Sequence, residues 1–213
     1  MFQRVLLWIS ALFAISCLAI GVVHAAPYNE RLPYALIDAG DRCAGESPAR
    51  CWQGIRLGET TRAEALAILE AHPWVLRTFE TSITVSWRWN GTQPEAIDER
   101  HDGVLRIERD RVTLIRVHTR LQFGDIWLAF GAPDDAILVR PASRSATYQV
   151  VEYDQEALHI VSTIGCPVSP QQFWRQTVTM GIGDVWFTEA IHGARFDVFN
   201  NSSWWRRVRR CRP

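Results

Sequence analysis

The stretch Gly54–Pro73, GIRLGETTRAEALAILEAHP, decides how the chain is read. Thr61 and Glu64 stand in the T-x-x-E spacing of a capping box. The Thr61 hydroxyl can accept from the Glu64 amide while the Glu64 carboxylate reaches back to Thr61. Ala63, Ala65, Leu66, Ala67 and Leu69 are strong helix formers, and Ala65, Leu66 and Leu69 share one apolar face. His72 precedes Pro73 and is pushed away from helical geometry, so the helix stops there. The pattern predicts a helix over 62–71, with Gly58 just ahead of it.

A shorter version returns at Leu121–Pro133, LQFGDIWLAFGAP. Gly124 precedes the predicted helix start, Asp125 is the expected N-cap, and Gly131 the C-terminal breaker before Pro133. Strand-rich sequence follows both cassettes. After the first, Ser82–Trp89 alternates strictly, with Ile83, Val85, Trp87 and Trp89 on one face and Ser82, Thr84, Ser86 and Arg88 on the other. That is the signature of a half-buried antiparallel strand. Asn90-Gly91 turns the chain, and Gln93–Asp102 reads as a loop. Gly103–Arg109 and Arg111–Thr119 read as a hairpin hinged near Asp110. After the second cassette, Asp134-Asp135 reads as a turn, and Thr147–Tyr153 and Leu158–Thr163 as strands. Cys166–Pro170 is irregular. Gln176–Met180 and Asp184–Thr188 read as strand, with a bulge at Gly181-Ile182-Gly183.

The fold class expected from this order is α+β, built of two tandem helix-plus-antiparallel-sheet units. The divisions are residues 1–25 as an export signal, 26–53 as an extended leader, 54–120 as the first unit, and 121–213 as the second unit with its tail. The signal reading rests on Arg4, the apolar run Val5–Val23, and Val23-His24-Ala25 ahead of Ala26. Retention as an anchor ranks second, since the run is long enough to span a bilayer. Lipidation at Cys17 ranks third, because Ala14-Ile15-Ser16 is a poor lipobox. All three place the rest of the 213-residue chain outside the cytoplasm, in the cell envelope or secreted.

Composition narrows the partners. The 23 basic residues balance 23 acidic ones, so no overall field recruits nucleic acid. Every basic residue is Arg. Beyond Cys17, four cysteines remain, Cys43, Cys51, Cys166 and Cys211. An even number in an exported chain predicts two disulfides, with Cys43–Cys51 and Cys166–Cys211 the favoured pairing of the three. Trp52, directly after Cys51, is expected to pack beneath the first helix.

These features together resemble the SmpA/OmlA (BamE-like) superfamily of small outer-membrane lipoprotein domains. The residues that carry the likeness are Gly58, Thr60, Thr61, Glu64, Ala65, Leu69 and Pro73, and in reduced form Gly124, Asp125, Gly131 and Pro133. Two such units in tandem are similar in architecture to the β-lactamase inhibitor protein family. The resemblance covers Gly54 to about Thr188. It implies the fold above, an envelope or extracellular setting, and binding in place of catalysis, without identifying a partner.

The residues themselves carry no recognisable catalytic motif. His72, His101, His118, His159 and His192 lack the spacing of H-E-x-x-H, and neither G-x-S-x-G nor a phosphate loop is present. No cofactor, metal or catalytic group is therefore expected. Two features point to binding. One is the load of 10 Trp among many Arg, the residue types that dominate protein-binding hot spots. The other is the tail, where Trp204 and Trp205 precede Arg206, Arg207, Arg209 and Arg210, a cluster suited to an anionic membrane surface. The expectation is an exported, non-catalytic binding or scaffold protein that engages another envelope or secreted protein. The alternative is an inhibitor of a secreted enzyme.

Overall fold

The computed structural model describes residues 51–139, 147–154, 157–164, 169–183 and 194–195, together with Trp8, Phe13 and Cys43. The chain divides into two compact units, residues 1–30 and 31–213. Of the first unit only Trp8 and Phe13 are described, both helical. The second unit is as follows.

A two-strand ribbon opens it, β1 (Cys51–Trp52) against β2 (Ile55–Arg56). Helix α1 (Arg62–Glu70) follows, as the sequence predicts. Thr61 caps it: its hydroxyl accepts from Glu64 N–H at 3.3 Å, and its own N–H donates to the Glu64 carboxylate at 2.8 Å. Ala65 and Leu69 are fully buried, with Leu66 packed partly against the same core. The helix closes at Ala71, and His72 N–H donates back to Leu69 O.

Four antiparallel strands come next: β3 (Val75–Glu80), β4 (Thr84–Trp89), β5 (Gly103–Glu108) and β6 (Arg111–Gln122). The β5–β6 hairpin turns through Arg109 and Asp110, both at positive φ (49° and 64°). Such a two-residue turn matches the right-handed twist of the flanking strands. Helix α2 (Phe123–Phe130) follows β6 without a gap, then β7 (Asp135–Val139), β8 (Thr147–Tyr153) and β9 (Leu158–Ile164). A short helix α3 (Pro170–Arg175), β10 (Thr177–Gly183) and the two-residue β11 (Ala194–Arg195) complete the described elements.

The expected pair of helix-plus-sheet units is not what forms. The protein is mostly β, and all strands from β3 onward belong to one antiparallel sheet in the order β11-β7-β8-β9-β10-β6-β5-β4-β3. β10 returns to pair with β6, Met180 opposite Val117 and Ile182 opposite Ile115. Two separate four-strand sheets would each leave an apolar edge strand unpaired, and pairing β6 with β10 removes both edges. One hydrophobic core results. It runs from Trp52 and Leu69 through Val85, Trp87, Leu105 and Ile115 to Ile160, Phe173 and Ile182. The expected division at 120/121 falls inside β6.

Several local expectations also change. Asp125 is not the N-cap of α2. Gln122 holds that position and Asp125 sits three residues on, accepting from Gln122 N–H at 2.8 Å. Gly124 therefore lies inside the first turn, while Gly131 ends the helix at φ +78° as expected. Asp135 is the first residue of β7, and Asp134 accepts from Asp154 N–H at 2.8 Å. Ile83 is in the β3–β4 turn and exposed, not on the buried face. No bulge occurs at Gly181–Gly183, where β10 keeps unbroken register with β6. The irregularity lies at Thr177/Thr179. Trp52 is buried against Trp87 (ring centroids 5.3 Å apart) and stacks on His72, just beyond the helix.

Candidate protein-binding face

The strict alternation of the strands sorts their side chains onto two faces. Val85, Trp87, Leu105, Ile115, Val117, Met180 and Ile182 point into the core. The intervening residues line the opposite face. Across β3 to β6 these are Arg77 and Phe79, Thr84, Ser86 and Arg88, Val104 and Arg106, then Leu114, Arg116, His118 and Arg120, with Leu114 itself buried. Register brings them into rows. Arg77 lies opposite Arg88, and Phe79 opposite Ser86, Ser86 opposite Val104, and Val104 opposite Arg116.

The result is an arginine-rich, partly aromatic sheet surface. The Arg77 guanidinium sits 4.7 Å from the Phe79 ring centroid and that of Arg88 5.6 Å away. Each such contact contributes about 0.5–1 kcal/mol at an exposed site, enough to hold the side chains extended over the ring. Arg88 also pairs with Asp102 (3.3 Å), Arg106 with Glu108 (2.9 Å) and Arg120 with Glu99 (3.6 Å). Exposed pairs of this kind add ~0–1 kcal/mol each, so they are readily exchanged for a partner's carboxylates. Burial lowers the Arg116 pKa, but an arginine so placed remains a cation.

Beside this face lies a titratable cluster. Residues 96–98 extend the sheet along β6, with Asp98 N–H donating to His118 O and Arg120 N–H to Ala96 O. The loop thereby brings His101 onto His118, ring centroids 4.4 Å apart and planes 28° from parallel. His118 Nδ1 is 3.0 Å from the Thr179 hydroxyl. Burial first, then His101 and Arg116, depress the His118 pKa to about 4, so the ring is neutral at ordinary pH. Asp98 is buried and takes a two-pronged contact from Arg100, both at 2.8 Å. That contact holds its carboxyl near a pKa of about 2. The cluster ties the loop to β6 through Asp98, Arg100, His101 and His118. Among the described residues no three His, Cys, Asp or Glu are arranged to hold a metal ion. His159, across the sheet on β9, is hydrogen-bonded through Nε2 to the Gly183 carbonyl.

Of the residues singled out from sequence, Cys43 and Cys51 are joined as a disulfide, Cα atoms 6.0 Å apart. Cys166, Cys211, Trp204, Trp205, Arg206, Arg207, Arg209 and Arg210 lie outside the described residues, as do all but two of residues 1–25. Among the described residues no helix is long and apolar enough to cross a membrane. The arginine face was not singled out from sequence. Its signal was present in the polar parity of each strand, which carries Arg88 on β4, Arg106 on β5, and Arg116 and Arg120 on β6. Comparison with protein-family models, with curated proteins and with solved structures finds no match in any of the three.

Proposed function

We propose that the chain is an exported, non-catalytic protein-binding module that engages an acidic partner of the cell envelope or exterior through its open sheet face. The observation that carries this reading is the contact of Arg77 and Arg88 with the Phe79 ring within the arginine rows of β3 to β6. Arg and aromatic side chains held on a rigid sheet are what hot spots use: large contact area, planar donors for carboxylates, and little freedom to lose on binding. The sheet supplies that rigidity, because the other face of β4 to β6 is packed into the core. Export is supported by the signal-like N-terminus and by the Cys43–Cys51 disulfide.

The test is affinity capture from the native envelope extract and culture supernatant, comparing wild-type protein with Arg77→Ala/Phe79→Ala/Arg88→Ala. The expected result is one or more acidic proteins retained by the wild type and lost, by at least ten-fold, with the triple variant. Equal capture by both refutes the assignment of the face. Identity of the captured protein then separates a scaffold role from inhibition of a secreted enzyme.

A further inference from the structure

Among the described residues β3 ends the sheet, with β4 as its strand neighbour. The β3–β4 turn closes with Thr81 N–H donating to Thr84 O at 2.8 Å. Counting back in that register, Phe79 with Ser86 and Arg77 with Arg88 are the hydrogen-bonded pairs. The backbone N–H and C=O groups of Thr78 and Glu80 therefore point away from β4, out of the sheet. The register shift between Val75 and Arg77 makes Leu76 the extra residue of a bulge. Beyond the bulge, the edge from Arg77 to Glu80 is unpaired by any described strand. Exposed large apolar side chains concentrate at this hairpin. Leu76 (62% exposed), Phe79 (37%) and Ile83 (62%) are three of the five found among the described residues of 51–183. On the open face, the side chains along the edge are Arg77 and Phe79, with Arg88 behind them.

We infer that this edge accepts an extended segment of the partner as an additional antiparallel strand, with acidic side chains of that segment lying over Arg77 and Arg88. The inference rests on the binding face proposed above and specifies how a partner reaches it. Main-chain hydrogen bonds to Thr78 and Glu80 would supply the docking, and alternate side chains the selectivity. Charge selects the occupant. A strand added here places every second residue next to the arginine row, where carboxylates are matched and Lys or Arg are repelled.

The experiment uses a labelled ten-residue peptide of alternating Glu and Thr, with fluorescence anisotropy on the full mature chain at low salt. The expected result is saturable binding, at least ten-fold weaker for the Lys-Thr counterpart and for a Glu-Thr peptide N-methylated at alternate amides. Thr78→Pro removes an outward N–H without touching the β4 ladder, so the fold is retained. It should weaken binding at least ten-fold, and thermal unfolding of the variant checks the fold independently. No binding of the Glu-Thr peptide, or equal binding by Thr78→Pro of unchanged stability, overturns the inference. If Thr78→Pro still captures the partner that Arg77→Ala/Phe79→Ala/Arg88→Ala loses, the face stands and the edge does not. A concentration-dependent dimer in sedimentation, abolished by Thr78→Pro, would assign the edge to a second copy and also overturn it.

Discussion

Gly103 offers the sharpest test of the packing. It pairs with Trp87 across β4 and β5, and it is buried. A Cβ placed on Gly103 would lie 2.1 Å from Trp87 Cζ2 and 2.2 Å from Cε2. Those are not the ends of a flexible chain. The Trp87 indole is completely buried, with Trp52 at 5.3 Å and Trp89 at 5.4 Å between ring centroids. The ring has nowhere to go without displacing two other indoles. The backbone of Gly103 is not in the left-handed region, so Ala meets no conformational strain there. By itself the exchange would stabilise by about 0.4–1 kcal/mol through the unfolded chain. Overpacking of a filled core costs about 1–3 kcal/mol and occasionally more, and a clash this deep belongs at the upper end. Gly103→Ala should therefore destabilise by about 2–3 kcal/mol net, lowering Tm by about 5–10 °C for a chain of this size.

The assay is urea unfolding followed by Trp fluorescence, in a cycle with Trp87→Phe. Trp87→Phe alone should destabilise by leaving a cavity, offset in part because the Trp87 Nε1 is buried without a hydrogen-bond partner among the described residues. In the Trp87→Phe background most of the benzo ring is gone, and Gly103→Ala should cost little or become stabilising. The expected coupling is about 2 kcal/mol or more. A neutral Gly103→Ala in the wild-type background, or additive single effects, would refute the claim that Trp87 stands on a glycine seat.

Three other outcomes are expected. At His118, between its ordinary pKa of 6.5 and the folded value of about 4, the unfolded chain binds a proton that the folded chain does not, so stability falls as pH drops through that window. The shift would amount to ~3.4 kcal/mol unscreened. The half-exposed ring reduces this to about 1–2 kcal/mol. Chemical unfolding at pH 7, 5.5 and 4 should show the loss, and His118→Asn should flatten it. A further loss below pH 3.8 belongs to Asp98, whose depressed pKa survives His118→Asn. Gly183→Ala should be far more damaging than Gly181→Ala in thermal melts. Gly183 has φ +106° and its Cβ would meet Thr113 O at 2.3 Å, whereas the nearest atom to a Cβ at Gly181 is 3.6 Å away. Replacing both Cys43 and Cys51 by Ser should cost about 2–3 kcal/mol through lost loop closure, read as a lower urea midpoint. Non-reducing peptide mapping of the wild type should return that pair, and Cys166 joined to Cys211.

What was legible in the sequence and what was not divides along the range of the interactions. Helix α1 is written in Thr61, Glu64 and Pro73, all within one short segment, and it forms where those residues say. Strand β4 is equally legible, because one face is buried and the period of two survives in the residues. β3 is not, since the extra residue at Leu76 breaks its alternation and only Val75 and Thr78 are even half-buried. The largest miss has the longest range. The two cassettes each end in a strand, and nothing local to Arg111–Gln122 or Thr177–Gly183 states that these strands choose one another. That choice is made by edge energetics: Ile115 and Val117 on one side and Met180 and Ile182 on the other are buried as neighbours in one core. The proposed binding face follows from the same pairing. Arg77, Arg88, Arg106 and Arg116 are spread over four strands and 40 positions, and each alone looks like an ordinary solvated residue. Only the register, which sets Arg77 against Arg88 and carries Phe79 through Ser86 and Val104 to Arg116, turns them into one surface. The proposed face is thus a property of strand pairing, and a change that slips β4 by one residue would erase it while leaving the composition of the protein untouched.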